Sequence, residues 1–130
     1  MSEMEITFPG GKKVNALWHG FEIATDQPAA GGGEGSAPTP FDLFLASLGT
    51  CAGIFVLGFI QSRGLPADGL KITFSMDWDE TAHLAKTVRF KIRLPEGFPA
   101  KYHDAVIKAA EQCTVKRHLQ TPPQFVITAE

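Results

Sequence analysis

The chain has 130 residues, a length that suits one domain with its own core, so we expect a single domain over residues 1–130. Apolar residues make up 44% and charged residues 20% of the sequence, as in globular proteins, and the formal net charge of −2 argues against binding to nucleic acid. Two cysteines are too few for a disulfide-rich secreted scaffold. No charged-then-apolar leader precedes the first predicted strand, so we expect a cytoplasmic protein, in which a disulfide would be transient and catalytic.

The N-terminal part of the chain predicts three strands and a long loop. Residues 4–8 alternate between apolar and polar side chains, as in a half-buried strand. Two further strands flank His19 and Gly20, which suit a two-residue hairpin turn because His tolerates a positive φ better than most residues. Residues 26–38 are rich in Gly, Ala and Pro, and we interpret them as a mobile loop that could cover a binding site.

An apolar segment without charges, residues 43–60, predicts a long central helix. Thr39 can cap this helix, Pro40 suits its first position, and Asp42 falls where the acid of a capping box belongs. The segment reaches the lower length limit of a membrane span, but neither a basic cluster nor an aromatic belt flanks it. We therefore predict a helix that is buried on most sides inside the protein, and no association with a membrane.

The C-terminal half predicts a strand pair, a helical region and a last strand. Residues 70–78 and 88–94 alternate between apolar and polar side chains, which indicates two antiparallel, half-buried strands. A helical pattern then leads to Cys113, residues 114–119 continue as a short helical turn, and residues 125–128 predict a terminal strand. The order β-β-β-α-β-β-α-β indicates an α+β fold with antiparallel sheets packed around the long buried central helix.

The two cysteines lie in different settings. Cys51 lies in the apolar segment, and burial alone would raise its pKa and make it inert, so a packing role is one interpretation. Cys113 precedes a basic run, and it could simply be a cysteine at a helix end. One apolar thiol and one thiol near cations is also the layout of a peroxide-reducing pair, in which Cys51 needs a cation from elsewhere in the chain. The candidates for that cation are Lys12, Lys13, Arg63 and Arg117.

Other kinds of site have less support in the sequence. The four histidines are scattered and no short Cys/His spacing occurs, so we expect no metal site. A Cys-x-x-Cys motif is absent, and the glycines of residues 31–35 lack the Lys-Ser/Thr of a phosphate-binding loop. A Ser-His-Asp arrangement has no local signature, and a transferase or hydrolase that uses Cys51 has little support.

Residues 37–52, which read APTPFDLFLASLGTCA, resemble the region around the reactive cysteine of the OsmC/Ohr family, the osmotically inducible and organic-hydroperoxide-resistance proteins. The Cys-Thr-Val of residues 113–115 resembles the second cysteine of that family, and the Gly-Gly-Lys of residues 10–12 resembles its Gly-Gly-Arg after the first strand. The order of elements also agrees with the family. The resemblance covers almost the whole chain and implies an OsmC-like fold.

The resemblance further implies an intertwined homodimer, with two active sites at the subunit interface, that reduces organic hydroperoxides. Cys51 would be the peroxidatic thiolate and Cys113 the thiol that resolves its sulfenic acid. An external dithiol would restore both thiols, without a bound cofactor. Apolar walls formed by Phe44, Leu48 and Phe55 would favour an alkyl or aryl peroxide over hydrogen peroxide.

Two positions depart from the family pattern. Lys12 stands where peroxidase members carry an arginine, and Phe41 stands where they carry a glutamate. Lys12 can stabilise a thiolate without the bidentate geometry of arginine, and Asp42 follows one residue late. The chain therefore resembles a divergent branch, in which Lys12 and Asp42 are the candidate catalytic partners of Cys51. The alternative is a non-catalytic OsmC-fold module that binds a small apolar ligand at the dimer interface, with both cysteines as packing residues.

Overall fold

The computed structural model describes residues 3–130, which form five β-strands and three α-helices. The strands are β1 (Glu5–Gly10), β2 (Lys13–Trp18), β3 (Phe21–Thr25), β4 (Lys71–Asp79) and β5 (Leu84–Arg93), and the helices are α1 (Pro40–Ser62), α2 (His103–Ala110) and α3 (Thr114–Gln120). The α+β class and the predicted order of elements are confirmed from β1 to α3. Two compact units divide the chain, the first ending at Ala46 and the second running from Ser47 to Glu130, and α1 continues from one to the other.

The first unit contains a three-stranded antiparallel sheet in the order β1-β2-β3. The turn between β2 and β3 is the predicted two-residue turn, because Trp18 pairs with Phe21 and only His19 and Gly20 lie between them. Their φ angles are 47° and 81°, the left-handed conformation that a tight hairpin requires. His19 is therefore a turn residue, as the sequence predicts.

The loop between β3 and α1 is organised around a buried carboxylate. Asp26 is only 1% exposed, and it accepts hydrogen bonds from the backbone N–H of Gln27 (2.7 Å), the backbone N–H of Glu34 (3.3 Å), and the N–H (3.1 Å) and hydroxyl (2.6 Å) of Ser36. These donors lower the pKa of Asp26 to about 2, and the hydroxyl of Ser36 contributes most. Gly33 passes so close to the carbonyl of Gln27 that a Cβ there would collide with it.

Contacts with the first hairpin also fix this loop. Nζ of Lys13 lies 3.0 Å from Oε2 of Glu34, and Cε of Lys12 would lie 3.5 Å from a Cβ placed on Gly32. The amide of Gly35 donates to the carbonyl of Gln27 at 2.9 Å. The structure therefore shows an organised loop where the composition suggested a mobile one, because a single carboxylate satisfies donors from both sides of the glycine-rich turn.

Replacing Asp26 by asparagine is expected to lower the melting temperature by roughly 5–10 °C, because the neutral amide accepts these hydrogen bonds less strongly and turns its own N–H groups towards donors. Thermal unfolding followed by circular dichroism measures the change. The exposed Asp68 gives a matched control, and Asp68→Asn should melt within about a degree of wild type.

The destabilisation should also depend on pH. The pKa of Asp26 is about 2 in the folded chain, against about 3.9 for an unfolded aspartate. The ionised carboxylate therefore stabilises the fold fully above about pH 4, and that stabilisation is lost as the pH falls towards about 2. The melting curves of wild type and Asp26→Asn should converge over this acidic range, and identical curves at neutral pH would contradict the role of Asp26.

Helix α1 begins with the predicted capping box. The backbone N–H of Thr39 donates to Oδ2 of Asp42 (3.0 Å), and the N–H of Asp42 donates to Oγ1 of Thr39 (3.1 Å), while Pro40 is the first helical residue. The helix ends at Ser62, and Gly64 follows with a φ of 65°. By length and composition α1 could cross a membrane, but this is weak evidence because core helices of soluble proteins meet the same criteria.

Within one chain, α1 buries a single stripe of its surface. The buried residues are Leu48, Ala52, Val56 and Ile60. Their spacing of four places them on one side of the helix. The helix is apolar elsewhere as well, yet Ile54 is 60% and Phe55 37% exposed. Residues 3–130 of one chain therefore leave part of the apolar surface of α1 exposed. The predicted burial on most sides requires a second surface that covers it.

In the second unit, the part of α1 that begins at Ser47 and the whole of α2 pack against the hairpin of β4 and β5. The two strands pair in antiparallel, as predicted, with Ile72 opposite Ile92 and Phe74 opposite Phe90. Val56 and Ile60 of α1 and Val106 of α2 form the core, with exposures of 0%, 0% and 1%. Ile72 and Ile92 pack against this core, so the apolar face of the strand pair points towards the helices.

The C-terminal segment differs from the prediction. No strand is assigned to residues 125–128 in the described chain, and Phe125, Val126 and Ile127 are 80%, 79% and 92% exposed. A strand needs a neighbouring strand to accept and donate its backbone hydrogen bonds. A composition rich in aromatic and β-branched residues predicts that a segment can be a strand, but it does not supply the partner.

Candidate active site

Helix α1 carries Cys51 in the second unit. Cys51 is half-buried and directly precedes Ala52, which belongs to the buried stripe of the helix. A Cβ placed on Gly53 would lie 3.8 Å from Cδ1 of Ile72, an ordinary packing distance, so this turn of α1 rests on β4. The thiol of Cys51 therefore lies at the edge of the packed interior, where it is partly shielded from solvent but still accessible.

Cys113 lies between α2 and α3 and caps the second of these helices. Its φ and ψ are −49° and 120°, outside the helical region, and its Sγ accepts a hydrogen bond from the backbone N–H of Lys116 at 3.3 Å. The residue is only 2% exposed. Oxygen side chains are the usual acceptors at this position, so a sulfur cap is an uncommon choice. Cys113 thus begins a helix, and the basic residues that follow it lie within α3.

Cys51 and Cys113 lie near each other in the second unit. Both cysteines are free, and each influences the pKa of the other. Thr114 and Val115, at the start of α3, also lie near Cys51, and their backbone N–H groups and the hydroxyl of Thr114 act on its pKa. The start of α3 therefore surrounds Cys51 with hydrogen-bond donors.

These contacts separate the pKa values of the two thiols. The N–H of Val115 lowers the pKa of Cys51 most, and the donors of Cys113 and Thr114 lower it further, while burial acts in the opposite direction. Burial raises the pKa of Cys113, and the neighbouring Cys51 raises it further. When the pair loses one proton, Cys51 becomes the thiolate and Cys113 stays the thiol that donates to it. Because the thiolate is the nucleophilic form, Cys51 is suited to attack.

Hydrogen-bond donors thus lower the pKa of Cys51, where the sequence pointed to a cation. Arg63, one of the candidates for that cation, has its guanidinium carbon 3.8 Å from the ring centroid of Phe59 and 5.3 Å from that of Tyr102. It also donates to Oγ of Ser62 at 3.0 Å. These contacts give Arg63 a cation–π and hydrogen-bonding role at the end of α1.

Three of the predicted site residues belong to the first unit. Lys12 is exposed in the turn between β1 and β2, Asp42 caps α1, and the ring of Phe44 stacks on that of Phe41 with centroids 5.8 Å apart. A capping role for Asp42 agrees with its position in the sequence. The catalytic roles of Lys12 and Asp42, and the substrate contact of Phe44, stay predictions.

A largely apolar cavity of about 430 Å³ lies in the second unit and reaches Cys113. Its walls are formed by Leu48, Ala52, Val88, Phe90, Ile92, Ile107, Ala110, Glu111, Cys113, Lys116 and Leu119. The volume is in the range of small-molecule sites, and one carboxylate and one ammonium group lie on an otherwise apolar wall. Leu48 is thus the predicted substrate contact that lines this cavity, whereas Phe55 lies 37% exposed on α1.

The sequence analysis named Thr114 and Val115 only as part of the Cys-Thr-Val motif and gave them no role. Their N–H groups are available to a sulfur because α3 begins at Thr114, directly after Cys113. A usable signal was present, because Cys113 is followed by a hydroxyl residue and then by the helical pattern of residues 114–119. A cysteine just before a helix leaves the first N–H groups of that helix available to a nearby sulfur.

Comparison with known proteins identifies one family. Residues 33–128 match the OsmC family, described as OsmC-like protein. No curated protein matches the sequence at a significant level.

Solved structures share the fold. A Psychrobacter arcticus 273-4 protein named for osmotic stress induction and a detoxification response has a TM-score of 0.77 and 21% identity, over 90% of this chain and 87% of that one. A hypothetical protein of Aquifex aeolicus VF5 has a TM-score of 0.66 and 17% identity, over 95% and 90%. An organic hydroperoxide resistance protein OsmC of Legionella pneumophila has a TM-score of 0.57 and 17% identity, over 92% and 90%. At these identities the likeness establishes the predicted OsmC-like fold.

Proposed function

The chain belongs to the OsmC-like protein family, and on this premise we propose that it is a thiol-dependent peroxidase that reduces organic hydroperoxides through Cys51 and Cys113 in defence against oxidative stress. The observation that carries the proposal is the pair of free, neighbouring thiols, with the pKa of Cys51 lowered and that of Cys113 raised. Such a difference suits one cysteine for nucleophilic attack and the other for the following step.

The reaction begins when the Cys51 thiolate attacks the peroxide. An S–O bond forms, the O–O bond breaks, and the alkoxide leaves as an alcohol after taking a proton from solvent. Cys113 then attacks the sulfur of the sulfenic acid, so that an S–S bond forms and water leaves. An external dithiol reduces this disulfide by exchange and is itself oxidised to a disulfide, which returns both thiols. The proximity of the two thiols supports the second step, in which their sulfurs form a bond.

The cavity next to Cys113 supports an apolar substrate. Most of its wall is aliphatic or aromatic, so an alkyl or aryl group would gain more from burial there than the hydroxyl of hydrogen peroxide. Lys116 and Glu111 could orient a polar end of the molecule. Reaction with cumene hydroperoxide should therefore be faster than reaction with hydrogen peroxide.

A second copy of the chain is the partner that the exposed apolar surface fits best. Ile54 on α1 is 60% exposed, and Phe125, Val126 and Ile127 in the C-terminal segment are exposed to between 79% and 92%. Apolar exposure on this scale usually marks an interface. A homodimer with α1 at its interface would bury the side of the helix opposite Leu48, and a neighbouring strand in the partner would pair residues 125–128.

Replacing Ile54 by glutamate is expected to convert the dimer into monomers, because the interface would have to bury a charge without a partner. Size-exclusion chromatography with light scattering should report twice the mass of one chain for wild type and the mass of one chain for the variant. Leu84→Glu, at a residue 58% exposed in the hairpin between β4 and β5, is the matched control and should leave the mass unchanged. A monomeric wild type would contradict the dimer.

Titration of free thiols is the experiment that tests the activity. Cumene hydroperoxide added to the reduced protein should remove both thiols in equal amounts, with one peroxide consumed per chain. Peptide mapping without reduction should then find Cys51 linked to Cys113, and a dithiol of the kind present in a reducing compartment such as the cytoplasm should reverse the link. Retention of both free thiols in excess peroxide would exclude the peroxidase.

The cavity also supports a second candidate, a non-catalytic module that binds a small apolar ligand. Its volume of about 430 Å³ and apolar wall suit such a ligand without any chemistry at the thiols. This candidate predicts saturable binding of an apolar fluorescent probe together with thiols that peroxide does not oxidise. Thiol loss and probe binding measured on one sample therefore separate the two functions.

A further inference from the structure

A second apolar cavity adjoins the first, which is the cavity of about 430 Å³ that reaches Cys113. The second cavity has a volume of about 460 Å³, and Leu94, Phe98 and His103 belong to its wall. Three apolar residues line both cavities, namely Phe90, Ile92 and Ile107. Because the two spaces share part of their walls, a ligand in one cavity can extend into the other.

The two cavities follow one another along the apolar face of β5. Val88 lines the first cavity, and Leu94, directly after the strand, lines the second. The shared residues Phe90 and Ile92 lie between them in the sequence. These alternate residues lie on one face of the strand, and the chain rises by about 20 Å from Val88 to Leu94. The combined space is therefore elongated in the direction of β5.

Helix α2 forms the other side of this space in the matching order. His103, its first residue, lines the second cavity, Ile107 lines both, and Glu111, directly after the helix, lines the first. A spacing of four residues places these three on one side of the helix. The strand and the helix thus form the two sides of one groove, the β5–α2 groove, which runs from Cys113 to His103.

The middle of the β5–α2 groove is apolar and open to solvent, whereas its ends carry polar groups. Phe90 is 37% and Ile107 is 52% exposed, and both line the middle of the groove. Lys116 lines the end at Cys113, and His103 lines the opposite end. A long apolar space with polar groups at its ends suits a chain-like amphiphile, because the chain gains free energy from burial and its polar end keeps a partner.

We propose that the β5–α2 groove binds an unbranched alkyl chain of about ten carbons, with its polar end near Cys113 and its tail towards His103. Ile107, which lies where the two cavities meet, determines how far such a chain can reach. The inference rests on the proposed peroxidase for the identity of the reactive group. The substrate is then a long-chain alkyl hydroperoxide, with its O–O bond at the thiols and its tail buried along β5.

The test measures binding of primary alkanols from hexanol to decanol to the reduced full chain by isothermal titration calorimetry, without peroxide. The alkanol hydroxyl takes the place of the hydroperoxide group, so binding is measured apart from chemistry. Each added methylene should tighten binding by about threefold, because each is removed from water in the groove. Affinity that does not increase from hexanol to decanol would overturn the proposal.

An Ile107→Trp variant should block the groove where the two cavities meet. Decanol should bind this variant at least about tenfold more weakly than wild type, because its last carbons can no longer enter the second cavity. Hexanol should bind within about twofold of wild type, because the first cavity alone is large enough for it. The neighbouring Lys108 is exposed and lies outside the walls of both cavities, so Lys108→Trp is the matched control and should keep the wild-type series.

The outcomes separate the groove from the other interpretations. An Ile107→Trp chain that melts like wild type and keeps the wild-type series would overturn the proposal. If this variant does not fold, an unchanged series in Ile107→Ser, which makes the middle of the groove polar, would overturn it instead. Light scattering that shows a loss of dimer in Ile107→Trp would also overturn it, because a second copy of the chain would then cover the groove.

The same measurements distinguish the groove from the proposed peroxidase. A chain-length series in a protein whose thiols survive excess peroxide would reject the peroxidase and leave the groove as a binding site for alkyl chains. Rapid thiol oxidation by cumene hydroperoxide without a chain-length series would reject the groove and leave the peroxidase intact.

Discussion

A Cys51→Ser variant is expected to lose peroxide turnover by about a thousandfold or more, because removal of a nucleophile takes away the covalent path of the reaction. The serine hydroxyl has a pKa far above that of the thiol, so the donors of residues 113–115 cannot make it an alkoxide at neutral pH. A serine oxygen also cannot form a sulfenic acid, which is the intermediate that Cys113 attacks in the second step. The effect should therefore appear in the first turnover as well as in the steady state.

Consumption of cumene hydroperoxide with dithiothreitol as the dithiol measures this loss. Ser75→Ala, at an exposed position of β4, is the matched control and should keep wild-type turnover. Intact-protein mass spectrometry after one equivalent of peroxide should show no oxygen added to the Cys51→Ser chain. Turnover near that of wild type would show that Cys51 is not the nucleophile, whatever the state of Cys113.

Features that depend on neighbouring residues in the sequence could be predicted well. The turn at His19 and Gly20 and the capping box of Thr39 and Asp42 involve residues at most three positions apart, so local chemistry determines them. The pairing of β4 with β5 followed from the alternation of apolar side chains, because a shift of one residue would turn the apolar face to solvent.

Features that depend on contacts between distant segments could not be predicted. The order of the loop after β3 depends on Asp26, whose role is visible only when the donors of Glu34 and Ser36 fold back onto it. Residues 125–128 have the composition of a strand but no strand partner within residues 3–130. The donors to Cys51 come from the start of a helix in another part of the chain. A sequence pattern identifies the sulfurs, while the turn that activates one of them is a tertiary feature.

A Cys113→Ser variant is expected to react once with peroxide and then to turn over about tenfold or more slowly than wild type, because no disulfide can form and the dithiol must reduce the sulfenic acid directly. Serine is a suitable replacement on structural grounds. It is a favoured N-cap residue, so α3 should keep its start, and its hydroxyl can still donate to the Cys51 thiolate. The first step should therefore stay close to the wild-type rate.

Stopped-flow measurement of the first turnover, followed by trapping with dimedone, separates the two steps. Dimedone should label Cys51 in the Cys113→Ser variant after one equivalent of peroxide, whereas the wild-type pair should close to a disulfide before it can be labelled.

Cys113→Ala is the second variant, and it removes the cap and the donor together. It should share the block in the second step and also slow the first, since the start of α3 loses the sulfur that accepts from Lys116. Unchanged steady-state turnover in both variants would show that Cys113 does not resolve the sulfenic acid, and that its hydrogen bond serves only to stabilise the Cys51 thiolate.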